Sequence, residues 1–343
     1  MIQRLLIVGN PLEHHVGAHF LSAARTLGVA VEIVDLRNAW SKNIWVNRFY
    51  FHLAGRQPAR LRPFDLEIQA ACDRFQPEAV LVTGISPPGA AVLEGLGKQG
   101  IRRVNFLTDD PWNPKNGSAF FWQSLVHYDV IFSPRRANLA DLRAAGCRRV
   151  EYLPFGYNPE IHFPQRPDTD AARARFECDV AIVGGGDADR LPYALALARA
   201  GLNLHLYGGY WDRHRELRKY WRGFVQGVEL RMAVSGATVN LGLVRAANRD
   251  GHAMRSLEFP AMGACLVAVD TPEHRELYGA CGEFVEYYTD MEEMVRKVQT
   301  LCKHPDRARL LGQRVFTRIC ESARHTYADR LRQILDVSAS SHD

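Results

Sequence analysis

Absences narrow this chain of 343 residues before any motif does. No C-x-x-C pair occurs, and the seven cysteines (72, 147, 178, 265, 281, 302 and 320) are odd in number and widely spaced. That usage argues against a disulfide framework or a cysteine-built zinc finger, and it fits free thiols in a reducing compartment. No apolar run reaches the length of a membrane span. Met1-Ile2-Gln3-Arg4 leads straight into a short apolar strand, so no signal peptide is expected. Low-complexity tracts are missing too. Basic residues are not gathered on one element: Arg148-Arg149 and the run from Arg213 to Lys219 are short, and the net charge of +5 is mild. This is a weak footprint for nucleic acid but suits anionic ligands. A soluble, cytoplasmic protein is expected, with peripheral membrane contact left open.

What is present is globular, with 47% hydrophobic and 24% charged residues. The length suits two domains of roughly 150 residues each. Leu5 to Gly9 is a continuous apolar run ending in glycine, as a buried parallel strand should be. A helix over Gly17–Leu27 and a strand over Val31–Val34 complete a β-α-β opening. Further on, helices are expected from Asp65 to Phe75, from Ser118 to His127 and from Arg135 to Ala145. Strands are expected over 79–82, 103–107, 130–132 and 150–152. The segment L-P-F-G-Y-N-P-E-I-H-F-P-Q-R-P holds prolines 154, 159, 164 and 167, so it cannot be helix and reads as an interdomain linker.

The second half restarts the alternation. Strands are expected over 179–183, 202–207, 237–241 and 284–285, with helical patterns from Arg213 to Trp221, around 228–232, after Thr271-Pro272, from Asp290 to Cys302, from Pro305 to Cys320 and from Thr326 to Ile334. Strand and helix alternating in both halves imply two Rossmann-like domains with parallel sheets. Ligands are then expected at the carboxyl ends of the strands. One segment resists the pattern. Residues 38–63 are dense in aromatics; core packing around an inserted helix is the plainer expectation, an acceptor-facing wall the functional one.

Two stretches carry chemistry. V-G-G-G-D-A-D-R (183–190) is a strand, a glycine turn and a helix start, in which glycines let a backbone approach phosphate and Arg190 adds a guanidinium. It is neither G-x-G-x-x-G nor a P-loop, and a plain tight turn remains an equal reading. Residues 249–267, R-D-G-H-A-M-R-S-L-E-F-P-A-M-G-A-C-L-V, read as loop, short helix, glycine stop and buried strand. Asp250 and Glu258 lie slightly more than two helical turns apart, so both can line one edge. A carboxylate there suits hydroxyl recognition, or else Glu258 pairs with Arg255 on a surface. In the first half, Asp109-Asp110-Pro111-Trp112 ends a strand, where an acid can act as a base on a hydroxyl or serve as a helix cap. Glu13-His14-His15 with His19 follows the first strand; His15 is a candidate base and otherwise a polar loop histidine.

Arg255 to Ala264 (R-S-L-E-F-P-A-M-G-A) resembles the R-x-F-E-x-P-A-x-G-x signature of the spore-maturation (CgeB-like) glycosyltransferases. The likeness continues in T-P-E-H-R-E-L-Y (271–278), in 288–309, in H-T-Y-A-D-R (325–330), in Asp109-Asp110-Pro111 and in L-P-F-G-Y-N-P-E (153–160). It spans about residues 103 to 335. The resemblance implies a GT-B fold, two Rossmann-like α/β domains facing a central cleft: an acceptor domain over 1–155, a nucleotide-sugar donor domain over 156–323, and a final helix over 324–343 returning to the first domain. It implies a metal-independent transferase with a nucleotide-sugar co-substrate and no other cofactor. Related group 1 transferases carry E-x7-E, which here becomes D-x7-E, with Glu258 on the ribose and Asp250 near the sugar.

Residue chemistry and resemblance together nominate Asp109, Asp110, Asp250 and His15 as catalytic. The donor-side set is Gly184, Gly185, Gly186, Arg190, Tyr207, Gly208, Arg255, Glu258 and Gly263. The acceptor is open among protein, glycan, lipid-linked, natural-product and modified nucleic-acid hydroxyls. The alternatives are a non-catalytic nucleotide- or glycan-binding module and a nucleotide-sugar epimerase.

Overall fold

The computed structural model describes residues 2–249, 251–322 and 324–339. The chain divides into two compact units. The first takes the chain through Pro154 and again from Tyr327 onward; the second is Phe155–Thr326.

The first unit runs β1 (Arg4–Gly9), α1 (Val16–Thr26), β2 (Ala30–Asp35), α2 (Ile44–Leu53), α3 (Leu61–Phe75), β3 (Ala79–Thr83), α4 (Ala90–Lys98), β4 (Arg102–Phe106), α5 (Ala119–Ser124), β5 (Val130–Ser133), α6 (Ala137–Ala144) and β6 (Val150–Tyr152). Its six strands are all parallel, in the order β2-β1-β3-β4-β5-β6. The central strands are apolar on both faces because helices cover both, and β3 is buried at every position. The strand order reverses between β1 and β3, so the loops after those two strands flank the switch point where parallel sheets open to ligands.

The second unit runs α7 (Asp170–Phe176), β7 (Cys178–Val183), α8 (Leu191–Arg199), β8 (Leu204–Tyr207), α9 (Gly227–Gly236), β9 (Ala237–Gly242), α10 (Arg255–Ala261), β10 (Leu266–Val269), α11 (Pro272–Tyr278), β11 (Glu286–Tyr288), α12 (Met291–Lys303) and α13 (Pro305–Phe316). Its five parallel strands are ordered β11-β10-β9-β7-β8. Here the reversal lies between β7 and β9. The last helix, α14 (Tyr327–Ala339), belongs to the first unit. Its first residue, Tyr327, is buried and stacks on His19 of α1 at 4.8 Å between ring centroids. Arg149 reaches the same helix and donates to the Val337 carbonyl at 3.2 Å. Among the described residues, no helix is long and apolar enough to cross a membrane.

Three local expectations fail, each for a physical reason. The pattern from Arg213 to Trp221 is not a helix but two short 3-10 turns, Trp211–Arg213 and Arg218–Tyr220. Hydrogen bonds to β8 and its loop displace helical ones: Arg222 N–H donates to Leu206 O and the Trp221 indole to Gly208 O. The strand expected at 284–285 falls instead at Glu286–Tyr288, where the backbone pairs with β10. Finally, α2 is not packed into a core. Its sequence, I-W-V-N-R-F-Y-F-H-L, is apolar almost all round, yet none of its residues is buried.

Candidate functional site

In the second unit, the loop after β7 carries Gly184, Gly185 and Gly186, and it lies against the loop after β8. The contact is made by backbone and rings. Gly184 N–H donates to Tyr207 O and Gly186 N–H to Gly209 O, both at 2.8 Å, while the Trp211 indole donates to Gly184 O at 2.8 Å. A Cβ at Gly186 would sit 2.8 Å from the Trp211 ring, and one at Gly208 would sit 2.5 Å from Gly184 O. Those glycines are therefore demanded by the fold itself. Gly185 is different: an added Cβ would meet Tyr210 at an ordinary 3.5 Å. Tyr210 has a left-handed backbone, with φ of 72°, and is exposed. The expectation that this loop offers free amides to phosphate is thus trimmed, because the Gly184 and Gly186 amides are already spent on carbonyls. Tyr207 is buried, and its hydroxyl meets His205 Nδ1 at 3.1 Å.

Arg190 folds back over this loop. Its guanidinium donates to Gly185 O at 3.0 Å and to Asp187 at 2.7 Å. Arg245, in the loop after β9, approaches the same Asp187 carboxylate at 3.5 Å. Burial holds Arg190 below the ordinary arginine range; Asp187 opposes the shift, while the nearby Arg245 and Arg255 guanidiniums add to it. Three arginines thus gather where the loops after β7 and β9 flank the strand reversal, and a di-anion there would relieve their repulsion. Arg245 was missed by sequence reasoning. Its only signal is its place just past the carboxyl end of a buried strand, and that counts only once the strand order is known.

The short helix α10 supplies the next layer. Ser256 through Ala261 are all buried, including a serine and a glutamate. Proline at 260 has no N–H, which would leave the Ser256 carbonyl without its helical partner. The Tyr278 hydroxyl from α11 donates to that carbonyl instead. The Ser256 side chain is held as well. Ala253 N–H donates to its Oγ at 3.1 Å, and its hydroxyl lies 2.8 Å from His274 Nε2. His274 Nδ1 is 2.7 Å from the Val269 carbonyl, which can only accept. The imidazole therefore carries its proton on Nδ1 and accepts from Ser256 through Nε2. Burial pushes the His274 pKa down to about 4, so this relay is neutral at ordinary pH. Gly263 ends the helix with φ of 74°, a left-handed stop that suits glycine.

That frame presents Glu258. Its carboxylate is buried, pairs with Arg255 one turn earlier, and lies 3.7 Å from His162 Nε2. His162 Nδ1 accepts from Asn158 N–H at 3.0 Å, so the Nε2 of a neutral ring carries the hydrogen that faces Glu258. The pairing with Arg255 was the plainer expectation; the Glu258 carboxylate is buried, while Arg255 stays partly exposed. The helix that carries Glu258 starts at Arg255. Asp250 lies outside the described residues. The neighbouring Gly251 carbonyl accepts from the Thr271 hydroxyl at 2.5 Å.

The remaining candidates belong to the first unit. Asp109 and Asp110 lie beyond β4 rather than at its end. Asp110 is buried and accepts from Trp112 N–H at 2.9 Å and from the Asn138 amide at 2.7 Å, which ties this loop to α6. These two bonds fix the orientation of its carboxylate. Asp109 is half-buried and accepts from the Thr108 hydroxyl at 3.0 Å. His15 is the N-cap residue of α1, in the loop after β1, beside that unit's strand reversal. Burial, then His14 and Arg37, lower its pKa, so the ring is a neutral imidazole near pH 7.

Comparisons add a partial family likeness and a fold. Residues 191–336 match the model of a family described as glycosyl transferase-like. The fold is GT-B. Sucrose-phosphate synthase from Thermosynechococcus elongatus superposes with a TM-score of 0.71 at 14% identity, covering 99% of this chain and 100% of that one. The Anabaena HepE protein, solved in complex with UDP-glucose, gives a TM-score of 0.62 at 11% identity over 99% and 100% of the two chains. A UDP-forming trehalose-phosphate synthase from Burkholderia xenovorans gives 0.60 at 12%, again over 99% and 100%. No curated protein gives a significant match. The family-model match supports a glycosyltransferase enzyme. At these identities the structural likenesses speak for the fold alone.

Proposed function

We propose that the chain moves a glycosyl group from a nucleoside-diphosphate sugar to an acceptor hydroxyl, without a metal, in the manner expected of the CgeB-like transferases. The observation that carries this reading is the convergence of Arg190, Arg245 and Arg255 at the strand reversal of the second unit, with Arg255 one helical turn before the buried Glu258. In the reaction the bond from the anomeric carbon to the diphosphate oxygen breaks, and the acceptor oxygen bonds to that carbon. The acceptor proton passes to a base. Negative charge grows on the leaving diphosphate, and guanidiniums already fixed beside it stabilise that charge without reorganising. Glu258 is assigned to the donor hydroxyls, since one carboxylate can accept from two neighbouring O–H groups. Tyr210 and Gly185 offer an open surface beside the arginines. Asp109 and His15 are the acceptor-side acid and base under this reading, and Asp250 takes the sugar. A UDP-sugar is the first donor to try, because two proteins of the same fold are described with UDP-glucose or as UDP-forming.

The test is a panel of nucleotides and nucleotide sugars, read by melting temperature and by release of nucleoside diphosphate. Binding without turnover would favour a ligand-binding module, and interconversion of a free UDP-sugar with no acceptor would favour an epimerase. If no member of the panel shifts the melting temperature, the donor site is wrongly assigned. Gly185→Ala is the matching variant: it should fold normally and bind donor more weakly.

A further inference from the structure

We infer that α2 and the chain around it form a docking surface for an anionic phospholipid membrane. The inference uses the first unit alone and stands whether or not the transferase reading does. A helix that is apolar nearly all round belongs in a protein core or against lipid. Yet Ile44 is 66% exposed, Trp45 70%, Phe49 57% and Leu53 75%, with Val46 and Phe51 exposed as well. The segment is nonetheless well ordered by local bonds. The Asn43 side chain caps the helix by accepting from Trp45 N–H at 2.9 Å, and Asn47 exchanges two hydrogen bonds with the Ser41 backbone. Half-buried Asn47 and Tyr50 mark the inner side, which puts Trp45, Arg48, Phe49 and His52 on the opposite face at 100° per residue.

Charge decides the partner. From Leu36 to Phe64 there is no Asp or Glu, while Arg37, Lys42, Arg48, Arg56, Arg60 and Arg62 make six positive charges. Arg37 pairs with Asp35 outside that window, and Arg56 is spent on the Pro114 and Gly117 carbonyls. Among the described residues, Lys42, Arg48, Arg60 and Arg62 pair with no carboxylate, and Lys42, Arg48, Arg60 and Arg62 are all exposed. Apolar rings flanked by unneutralised cations match the acyl and headgroup layers of an anionic leaflet, where long basic side chains keep their charge at the phosphates while their stems lie among the chains. A second copy of this chain would bring the same positive charge to the contact and be repelled.

The experiment is flotation of the full chain with vesicles of phosphatidylcholine alone and of equal parts phosphatidylcholine and phosphatidylglycerol, at low and high salt. We expect at least about ten-fold more binding to the anionic vesicles, weakened by salt. Trp45→Glu with Phe49→Glu should abolish it, and Lys42→Gln with Arg48→Gln and Arg62→Gln should erase the lipid preference, with unchanged thermal unfolding in both. Binding to neither vesicle, equal binding to both, or a double variant that still floats overturns the proposal. So does a chain that pairs with itself through this face, seen by sedimentation, and ignores vesicles.

Discussion

Two helices of this protein invert the usual division between inside and outside. Helix α10 carries a serine, a glutamate and a mid-helix proline, and it is buried over six of its seven residues. Helix α2 carries Ile44, Trp45, Val46, Phe49 and Phe51, and none of its ten residues is buried. A buried polar group and an exposed apolar patch are the two informative departures from hydrophobic sorting. In α10 every polar departure has a named partner: Arg255 and His162 for Glu258, His274 for the Ser256 hydroxyl, Tyr278 for the Ser256 carbonyl. In α2 the apolar groups stay exposed, touched by the Arg48 guanidinium over Trp45 and the Arg56 guanidinium over Phe51. The first helix has been completed by the protein, and the second waits for something outside it.

The strongest way to break the comparison is to remove the carboxylate that α10 is built to hold. Glu258→Gln keeps the shape and deletes the charge. If Glu258 receives donor hydroxyls, one or two charge-assisted hydrogen bonds are lost, and kcat/KM should fall roughly 100- to 1000-fold. Steady-state transfer with the donor identified from the panel gives the number. An unchanged kcat/KM would reduce the Glu258–Arg255–His162 cluster to a packing device.

Second is pH. Unfolded, the His274 imidazole takes up a proton near 6.5; folded, it does so only near 4. The unfolded chain therefore binds more protons between those limits. The His274 contribution is complete above pH 6.5 and drains away as pH falls toward 4. At about 1.4 kcal/mol per pH unit the loss is at most roughly 3 kcal/mol. Urea unfolding at pH 7 and pH 5 should show it, and His274→Gln should start less stable but vary less with pH. A variant with the full wild-type slope would clear His274 of the effect.

How much of this was legible beforehand follows from what a sequence encodes locally. Apolar runs such as Leu5-Leu6-Ile7-Val8, alternating with helical stretches, signal parallel sheets covered on both sides, so the α/β fold class was readable. Within 249–267 the short helix, the Gly263 stop and the strand after it were readable too, because each rests on residues a few positions apart. Arg245 was not, since its worth comes from β9 lying beside β7, a fact of topology. The pattern from Arg213 to Trp221 misled because the Trp221 indole is bound to the Gly208 carbonyl and Arg222 N–H to Leu206 O, contacts that a local pattern does not carry. Helix α2 misled in the other direction. Hydrophobic composition states that a surface should be covered, but not that this chain is what covers it.

Third is the Tyr278 hydroxyl, which tests whether α10 tolerates its proline by borrowed hydrogen bonding. Tyr278→Phe removes one oxygen and leaves the buried Ser256 carbonyl facing a ring edge. The expected loss is about 1–3 kcal/mol in urea unfolding, the cost of a buried acceptor left unsatisfied. Because Pro260 removes the N–H that would otherwise reach that carbonyl, Pro260→Ala should be the more tolerant background for the same change. Equal losses in both backgrounds would mean that the Tyr278 hydroxyl contributes independently of the proline.

The smallest effect is expected where the sequence looks most hydrophobic. Trp45→Glu with Phe49→Glu puts two charges on α2, which in a core would unfold the chain. Here both rings already face solvent; Tyr50 meets Phe49 edge to face at 5.7 Å, and the Arg48 guanidinium lies 5.2 Å from the Trp45 ring. An exposed contact of that kind contributes about 0.5–1 kcal/mol. A new carboxylate at position 45 can pair with Arg48 in its place, so the net change should stay within about 0.5 kcal/mol. A melting curve with and without anionic vesicles reads both sides of the argument. Without lipid the variant and the parent should coincide; with lipid, only the parent should respond, because only it has a surface that gains by leaving water. A double variant that melts far lower in buffer alone would show that α2 is covered within the chain after all, and the contrast with α10 would collapse.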